Sequence, residues 1–243
     1  MFGLDELIAD LAGDGSPAVV LVVALLLGLR HASDPDHLVA VSTLVATDPE
    51  RRPRIAARLG LAWGSGHALT LLLLGLPIVF VGAYLPDAAQ RAAEALVGVV
   101  IVVLAVRLLR RWRHGRFHAH EHEHGQVRHR HLHPHGDMGG HGHGHERVRS
   151  PAQAFGVGLL HGAGGSAAVG VLLLASISSR VEATVALGVF AVATAASMTV
   201  LSLAFGYALA RENVRGRLPR LAPLLGALSL AFGAWYTIGA LSP

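Results

Sequence analysis

The sequence contains no cysteine and no lysine, and only 15% of its 243 residues are charged. Without cysteine, the chain can form no disulfide, offers no thiolate to a metal ion and supports no thiol relay. Without lysine, it cannot carry the phosphate-binding motif G-x-x-x-x-G-K-[ST], so we exclude nucleotide hydrolysis as its own source of energy. So little charge is unusual in a soluble globular domain of this size. These absences favour a membrane protein.

Apolar residues dominate the composition, at 52% of the chain with a mean hydropathy of +0.50. A helix needs about 20 mostly apolar residues to cross a bilayer. Stretches of sufficient length lie at about 17–45, 57–83, 92–109, 152–177, 183–210 and 220–241. Several contain Gly, Ser or Thr every few residues, which is typical of closely packed membrane helices. We therefore predict an all-α polytopic membrane protein with six transmembrane helices.

The basic residues, all of them Arg, are distributed unevenly around these six spans. Four lie in 48–58, nine in 107–149 and four in 211–220, whereas the loops on the other side hold only Arg91 and Arg180. The positive-inside rule then places the three Arg-rich loops in the cytoplasm. We predict a multi-pass protein of the cell (inner) membrane with both termini extracytoplasmic. The basic excess reflects this topology, and we predict no nucleic-acid partner.

An internal repeat is indicated when the sequence is shifted by 130 residues, which aligns GLRHASDPDHLVAVSTL with GLLHGAGGSAAVGVLLL. Gly-Leu-x-His then falls at the same depth of spans one and four, and His31 corresponds to His161. Because each half holds three spans, the halves would be inverted, as in many transporters. Pro35 and the glycines of 161–166 predict that the first helix of each half is interrupted. Close helix packing is the alternative explanation for those glycines.

The predicted organisation has four parts. Residues 1–16 form an extracytoplasmic N-terminal segment, and 17–113 form the first three-helix repeat. Residues 114–150 form a His-rich cytoplasmic loop, and 151–243 form the second three-helix repeat. The loop has too few apolar residues to build a core, so we predict that it is disordered.

Histidine makes up twelve of the 32 residues in 114–145. Imidazoles spaced mostly two residues apart suit borderline metal ions such as Ni²⁺, Co²⁺, Zn²⁺ or Cu²⁺. A purification tag or a polar linker are the alternatives, and the internal position and irregular spacing argue against a tag. We predict an auxiliary metal-binding loop with the ligands His118, His120, His122, His124, His129, His131, His133, His135, His141, His143 and His145.

Six further residues with metal-ligating side chains lie inside the predicted spans: His31, Asp34, Asp36, His37, His67 and His161. A single His in a membrane helix can simply bond a neighbouring helix. An Asp at this depth, however, costs about 2.5–3.5 kcal/mol, and such residues usually mark an ion or proton pathway. The set of six therefore favours a metal path.

Helical spacing indicates which of these side chains can converge. His31, Asp34 and His37 span about 120° of one helix face, whereas Asp36 lies nearly opposite on a regular helix. A break at Pro35 would turn Asp36 inward or leave it to cap the following helical segment. Two imidazoles with one or two carboxylates suit Ni²⁺, Co²⁺ or Zn²⁺.

Two neighbouring features add to this set. Arg30 is either a counter-ion of the two Asp residues or a side chain that snorkels to the membrane boundary. His67 lies in WGSGHALT, where Gly64 and Gly66 would let a neighbouring helix approach and project His67 into the contact.

The run RHASDPDH, from Arg30 to His37, resembles the signature R-H-A-x-D-x-D-H of the nickel/cobalt transporter (NiCoT) family. WGSGHALT is similar to a second segment of that family, which contains a Gly-His pair. The resemblance implies that the His and Asp residues of the first run recognise Ni²⁺ or Co²⁺, and it extends this role to His67. It is strong over roughly 28–46 and fair over 59–76.

The chain departs from that family in two respects. Typical members have eight spans, and they carry an acidic motif in a later helix where this chain has GLLHGAGGS. These departures indicate a shorter six-span branch allied to nickel permeases and LysE-type transporters, which are similar in having inverted three-helix repeats. The His-rich loop is also similar to that of nickel and cobalt exporters in the same wide group.

We predict transmembrane transport of Ni²⁺ and/or Co²⁺, bound as substrate and with no prosthetic cofactor. Uptake is favoured because the motif belongs to importers, and an efflux permease is the alternative. A further alternative is a membrane metal sensor or metal-delivery accessory protein that moves no ion. An intramembrane enzyme would need a substrate pocket and more ligands, so we predict no enzymatic activity. The predicted partners are the ion, the bilayer and a cytoplasmic metallochaperone or nickel-enzyme accessory protein.

Overall fold

The computed structural model describes residues 16–46, 53–82, 86–114, 119–124, 127–132, 150–164, 177–211, 214 and 216–242. Its helices are α1 (Pro17–His31), α2 (Pro35–Ala46), α3 (Pro53–Val81), α4 (Asp87–Arg113), α5 (Pro151–Gly162), α6 (Arg180–Ala210) and α7 (Leu218–Leu241). Two strands, β1 (Ala119–His124) and β2 (Val127–Leu132), lie between α4 and α5. The predicted N-terminal segment up to residue 15 lies outside the described residues.

Four helices, α3, α4, α6 and α7, are each long and apolar enough to cross a membrane. The segments α1 and α2 meet at a bend of 46°, which fits either a further, broken span or a re-entrant loop. Of the predicted span 152–177, α5 covers the first part, and 165–176 lie outside the described residues. The chain is thus a helical, multi-pass membrane protein, and its arrangement as six spans in two inverted repeats stays a prediction.

Some helices extend past the apolar stretches that predicted them. The stretch at 92–109 lies within α4, which runs from Asp87 to Arg113. The reason is that hydropathy detects the part of a helix inside the hydrocarbon, whereas backbone hydrogen bonding continues into the polar boundary on both sides.

Glycines let pairs of long helices touch through their backbones. A Cβ atom added at Gly64 of α3 would lie 2.9 Å from the Cα atom of Ala195 in α6. A Cβ atom added at Gly98 of α4 would lie 2.9 Å from the carbonyl oxygen of Gly233 in α7. Such contacts explain why small residues recur along these helices, since lipid provides no hydrophobic force between them.

The two glycines aligned by the 130-residue shift make matching contacts. Gly28 of α1 lies against the backbone of α6 at Phe190, and Gly158 of α5 lies against the backbone of α3 at Trp63. Neither position leaves room for a side chain. Helix α1 therefore packs on α6 as α5 packs on α3, an exchange of partners that a repeat of either orientation would produce.

The strands β1 and β2 form a hairpin within the predicted loop 114–150, and the disorder of that loop stays a prediction. The strands are antiparallel, and their register sets Glu121 opposite Arg130 and Glu123 opposite Arg128. The sequence of both strands alternates His with other residues, and a period of two fits an extended chain. Residues 115–118, 125–126 and 133–149 lie outside the described residues.

Candidate metal-binding site

The break in the first span lies where proline predicts it. Helix α1 ends at His31 and α2 begins at Pro35, which has no backbone N–H to continue a helix. The turn between them is held by two bonds, from Ser33 N to the carbonyl oxygen of Arg30 at 2.8 Å and from Asp34 N to that of His31 at 3.1 Å. This local change of direction is what allows neighbouring polar residues to face the same interior.

His31 joins a carboxylate on its own span to an imidazole on the next. Its Nδ1 atom lies 3.1 Å from Oδ2 of Asp34, and its Nε2 atom lies 3.0 Å from Nε2 of His67. A carboxylate at one ring nitrogen orients the other nitrogen toward a metal in many metal sites. The contact with His67 agrees with the predicted position of that residue in a helix contact.

Asp36 lies between two imidazoles. Its Oδ1 atom is 3.1 Å from Nδ1 of His37, and its Oδ2 atom is 3.2 Å from Nε2 of His161. The side chain is buried, although Asp36 is the second residue of α2. Of the two predicted alternatives, the structure has the inward orientation, with a carboxylate shared by both halves of the chain.

All six predicted intramembrane residues converge, and all six are buried. Two subsets have candidate ligand atoms within 4.8 Å of one another. One subset is His31, His37 and His67, which we call the imidazole set. The other is Asp36, His37 and His161, which we call the carboxylate set.

Several ring nitrogens in this cluster have no hydrogen-bond partner among the described residues: Nε2 of His37, Nδ1 of His67 and Nδ1 of His161. A buried polar atom left without a partner costs about 1–3 kcal/mol. Buried ring nitrogens without a hydrogen-bond partner are therefore suited to bind a metal ion. The donor atoms are imidazole nitrogen and carboxylate oxygen, the combination that Ni²⁺, Co²⁺ and Zn²⁺ accept.

Arg30 lies at the edge of the cluster and forms an ion pair with Asp34. Its Nη1 atom lies 3.5 Å from Oδ1 of Asp34, and its side chain is 29% exposed while that of Asp34 is 8% exposed. This contact fits the counter-ion alternative, and the role of Arg30 stays a prediction.

Sequence reasoning did not single out the aromatic residues that enclose the site. Trp63 lies 5.7 Å from the ring of His37 and 5.6 Å from the ring of His161, and Phe190 lies 5.8 Å from the ring of His31. The position of Trp63 four residues before His67, on the same helix face, is the signal that could have identified it. These rings shield the ligands on the apolar side.

Five of the predicted ligands of the His-rich loop lie in the described residues. His120, His122, His124, His129 and His131 belong to the two strands. The other predicted loop ligands lie outside the described residues, so the auxiliary site stays a prediction.

A family described as "Cytochrome C biogenesis protein transmembrane region" matches residues 38–235. This covers most of the chain, which therefore belongs to that family of membrane proteins. The chain is also similar to the urease accessory protein UreH of Bacillus sp. (strain TB-90), at 26% identity over 226 residues. The alignment covers 89% of this chain and 90% of that protein. No solved structure matches the chain.

Proposed function

We propose that the protein transports Ni²⁺ and/or Co²⁺ across the cell membrane, in the direction of uptake. The observation that carries the proposal is the convergence of four buried imidazoles and two carboxylates, from four helices, at a broken membrane helix. Broken helices at the membrane midplane form the substrate sites of many secondary transporters. The ion is the substrate, and no other cofactor is proposed.

The ligand chemistry supports this class of ion. Nitrogen and oxygen donors together favour divalent ions of borderline character, and the absence of cysteine argues against Cu⁺. The proposed ligands along the path are His31, Asp34, Asp36, His37, His67 and His161, with Arg30 as the counter-ion of Asp34. Because the chain cannot bind nucleotide through a P-loop, energy would come from the membrane potential, a proton gradient or a partner protein.

The similarity to UreH bears on the metal. Urease is a nickel enzyme, and a relative named as its accessory protein supports a nickel-related role for this chain. The same name favours a second candidate, in which the protein holds metal at this site and delivers it to a cytoplasmic metallochaperone without moving it across the membrane. Thiol–disulfide exchange is excluded for this chain, since it has no cysteine.

Flux of radiolabelled Ni²⁺ into proteoliposomes tests the proposal. We expect uptake above that of empty vesicles, and a loss of at least tenfold in His31→Ala and His37→Ala, since each removes a donor from the site. Ser42→Ala is the matched control, because Ser42 lies on α2, is half-buried and donates to the carbonyl oxygen of Val39. Wild-type uptake by either His variant would contradict the site.

The same vesicles separate the alternatives. Release of Ni²⁺ from loaded vesicles, without uptake, would reverse the direction to efflux. Binding of Ni²⁺ by the purified protein with no flux in either direction would favour the accessory role.

A further inference from the structure

The imidazole set and the carboxylate set overlap in one residue, His37. We propose that the ion has two alternative positions, one in each set, and that His37 passes it from one to the other. This inference rests on the proposed function, because it takes Ni²⁺ or Co²⁺ as the ion that the cluster binds.

The distances between rings make His37 the centre of the cluster. Its ring centroid lies 4.6 Å from that of His31, 5.1 Å from that of His67 and 4.5 Å from that of His161. The rings of His67 and His161 are farther apart, at 6.1 Å. An ion that leaves one outer ring for the other therefore stays within reach of His37 throughout.

The hydrogen-bond pattern separates the two sides of the His37 ring. Its Nδ1 atom faces Asp36, whereas Nε2 has no partner among the described residues. A neutral imidazole has one lone-pair nitrogen at a time. His37 can therefore ligate an ion in the imidazole set or in the carboxylate set, but not in both at once.

The two sets also differ in charge and in the elements that hold them. The imidazole set has three neutral donors, all from the first half of the chain, on α1, α2 and α3. The carboxylate set adds the charge of Asp36 and reaches α5 of the second half through His161. A transfer through His37 thus moves the ion from ligands of one half to ligands shared by both halves, which is the step that motion between two halves could drive.

Cobalt spectroscopy on the full-length protein in detergent distinguishes two positions from one. Co²⁺ bound to three imidazoles and Co²⁺ bound to two imidazoles and a carboxylate differ in visible absorption and in X-ray absorption. We expect His67→Ala to leave the carboxylate-set signal and His161→Ala to leave the imidazole-set signal. The wild-type signal should be a weighted sum of these two, and His37→Ala should lose both. Subtracting the His37→Ala spectrum removes the contribution of the His-rich loop, which every variant shares.

Affinity provides a second measurement. For mutually exclusive positions of similar occupancy, removing one weakens the overall Co²⁺ affinity only about twofold, because the other still binds. A single site built from all the residues would instead lose about 10–100-fold with each substitution, by analogy with the loss seen for weaker, outer-shell partners. Both variants should nevertheless lose Ni²⁺ flux, since the ion can no longer cross between sets.

Two results would overturn the two-position proposal. One is identical Co²⁺ spectra for His67→Ala and His161→Ala, and the other is that neither variant keeps any signal after subtraction of the His37→Ala spectrum. Ser42→Ala should keep the wild-type spectrum. Where an Ala variant fails to elute as a single species, His67→Gln and His161→Gln replace it. The spectra test the two positions even if wild-type flux is absent, and flux tests transport even if the spectra coincide, so the two proposals fail separately.

Discussion

Asp36 and His37 are adjacent in the chain, yet the carboxylate of Asp36 also reaches His161, 125 positions further on. Both lie on α2, where successive side chains point in directions about 100° apart. The turn before Pro35 changes the direction of the chain, and both side chains then lie in the buried cluster. One proline thus accounts for a carboxylate at the contact between the two halves.

A prediction at this scale concerns Arg30, whose guanidinium offsets the charge of Asp34. Replacing it by Gln leaves more negative charge in the site, so we expect a lower melting temperature without metal and a larger rise on addition of Ni²⁺. Because Arg30 is partly exposed, we expect a destabilisation of about 1 kcal/mol rather than the larger cost of breaking a fully buried pair. Thermal unfolding in detergent with and without Ni²⁺ measures both effects.

The matched control for that experiment is Arg180→Gln, since Arg180 is exposed at the start of α6. It should change neither the melting temperature nor the response to metal. An equal response to Ni²⁺ in Arg30→Gln and the wild type would count against the counter-ion role.

At the scale of helices, small residues decide which elements meet at the site. Thr70 of α3 donates to the carbonyl oxygen of Leu159 at 2.9 Å, two residues before His161. Ser197 of α6 donates to the carbonyl oxygen of Gly28 at 3.1 Å. These bonds, with the glycine contacts beside them, hold α5 on α3 and α1 on α6, so the imidazoles on those helices are held within reach of one another.

Gly158 provides a prediction at this scale, with a matched control two residues away on α5. A Cβ atom at Gly158 would overlap the backbone of α3 at Trp63, whereas a Cβ atom at Gly156 meets nothing within 4 Å. We expect Gly158→Ala to destabilise the protein by about 1–3 kcal/mol. Gly156→Ala should be neutral, or stabilising by about 0.5–1 kcal/mol.

Unfolding monitored by circular dichroism in detergent measures the two Gly variants side by side. Gly158→Ala should also lose Ni²⁺ flux, since it would push His161 away from Asp36. Equal stability and flux in the two variants would show that α5 does not need this close contact.

At the scale of the whole molecule, the distribution of Arg predicts that the His-rich loop lies in the cytoplasm. Removing 114–145 should lower Ni²⁺ accumulation or weaken the apparent affinity while flux through the buried site continues. The physical reason is that the loop would receive and buffer metal after the ion leaves the membrane. Radiolabelled Ni²⁺ uptake in cells and in proteoliposomes compares the deletion with the full chain.

A second variant, with the loop histidines replaced by Asn, keeps the loop length and separates metal binding from the connection between the halves. Its Ni²⁺ accumulation and apparent affinity should equal those of the deletion variant. Complete loss of flux in both variants would instead make the loop part of the pathway.

Much of the site was accessible from the sequence because its signals are local. The length and apolar character of each stretch predict membrane helices, and Pro35 predicts the break by the chemistry of its ring. The glycines beside His67 predict that His67 meets the polar residues of the first span. The repeated Gly-Leu-x-His predicts the same for His161. The two strands within the His-rich loop were not predicted, because composition measures the lack of a core but not the pairing of alternating residues.

The sequence by itself determined the class of protein, the candidate metal-ligating residues and the position of the helix break, since each depends on residue chemistry or spacing within one segment. Only the tertiary structure decided that Asp36 faces inward, that His161 contacts it and that His37 belongs to two ligand sets. The physical reason is that these contacts arise where helices pack closely at glycines. The sequence around a glycine does not show which helix will pack against it.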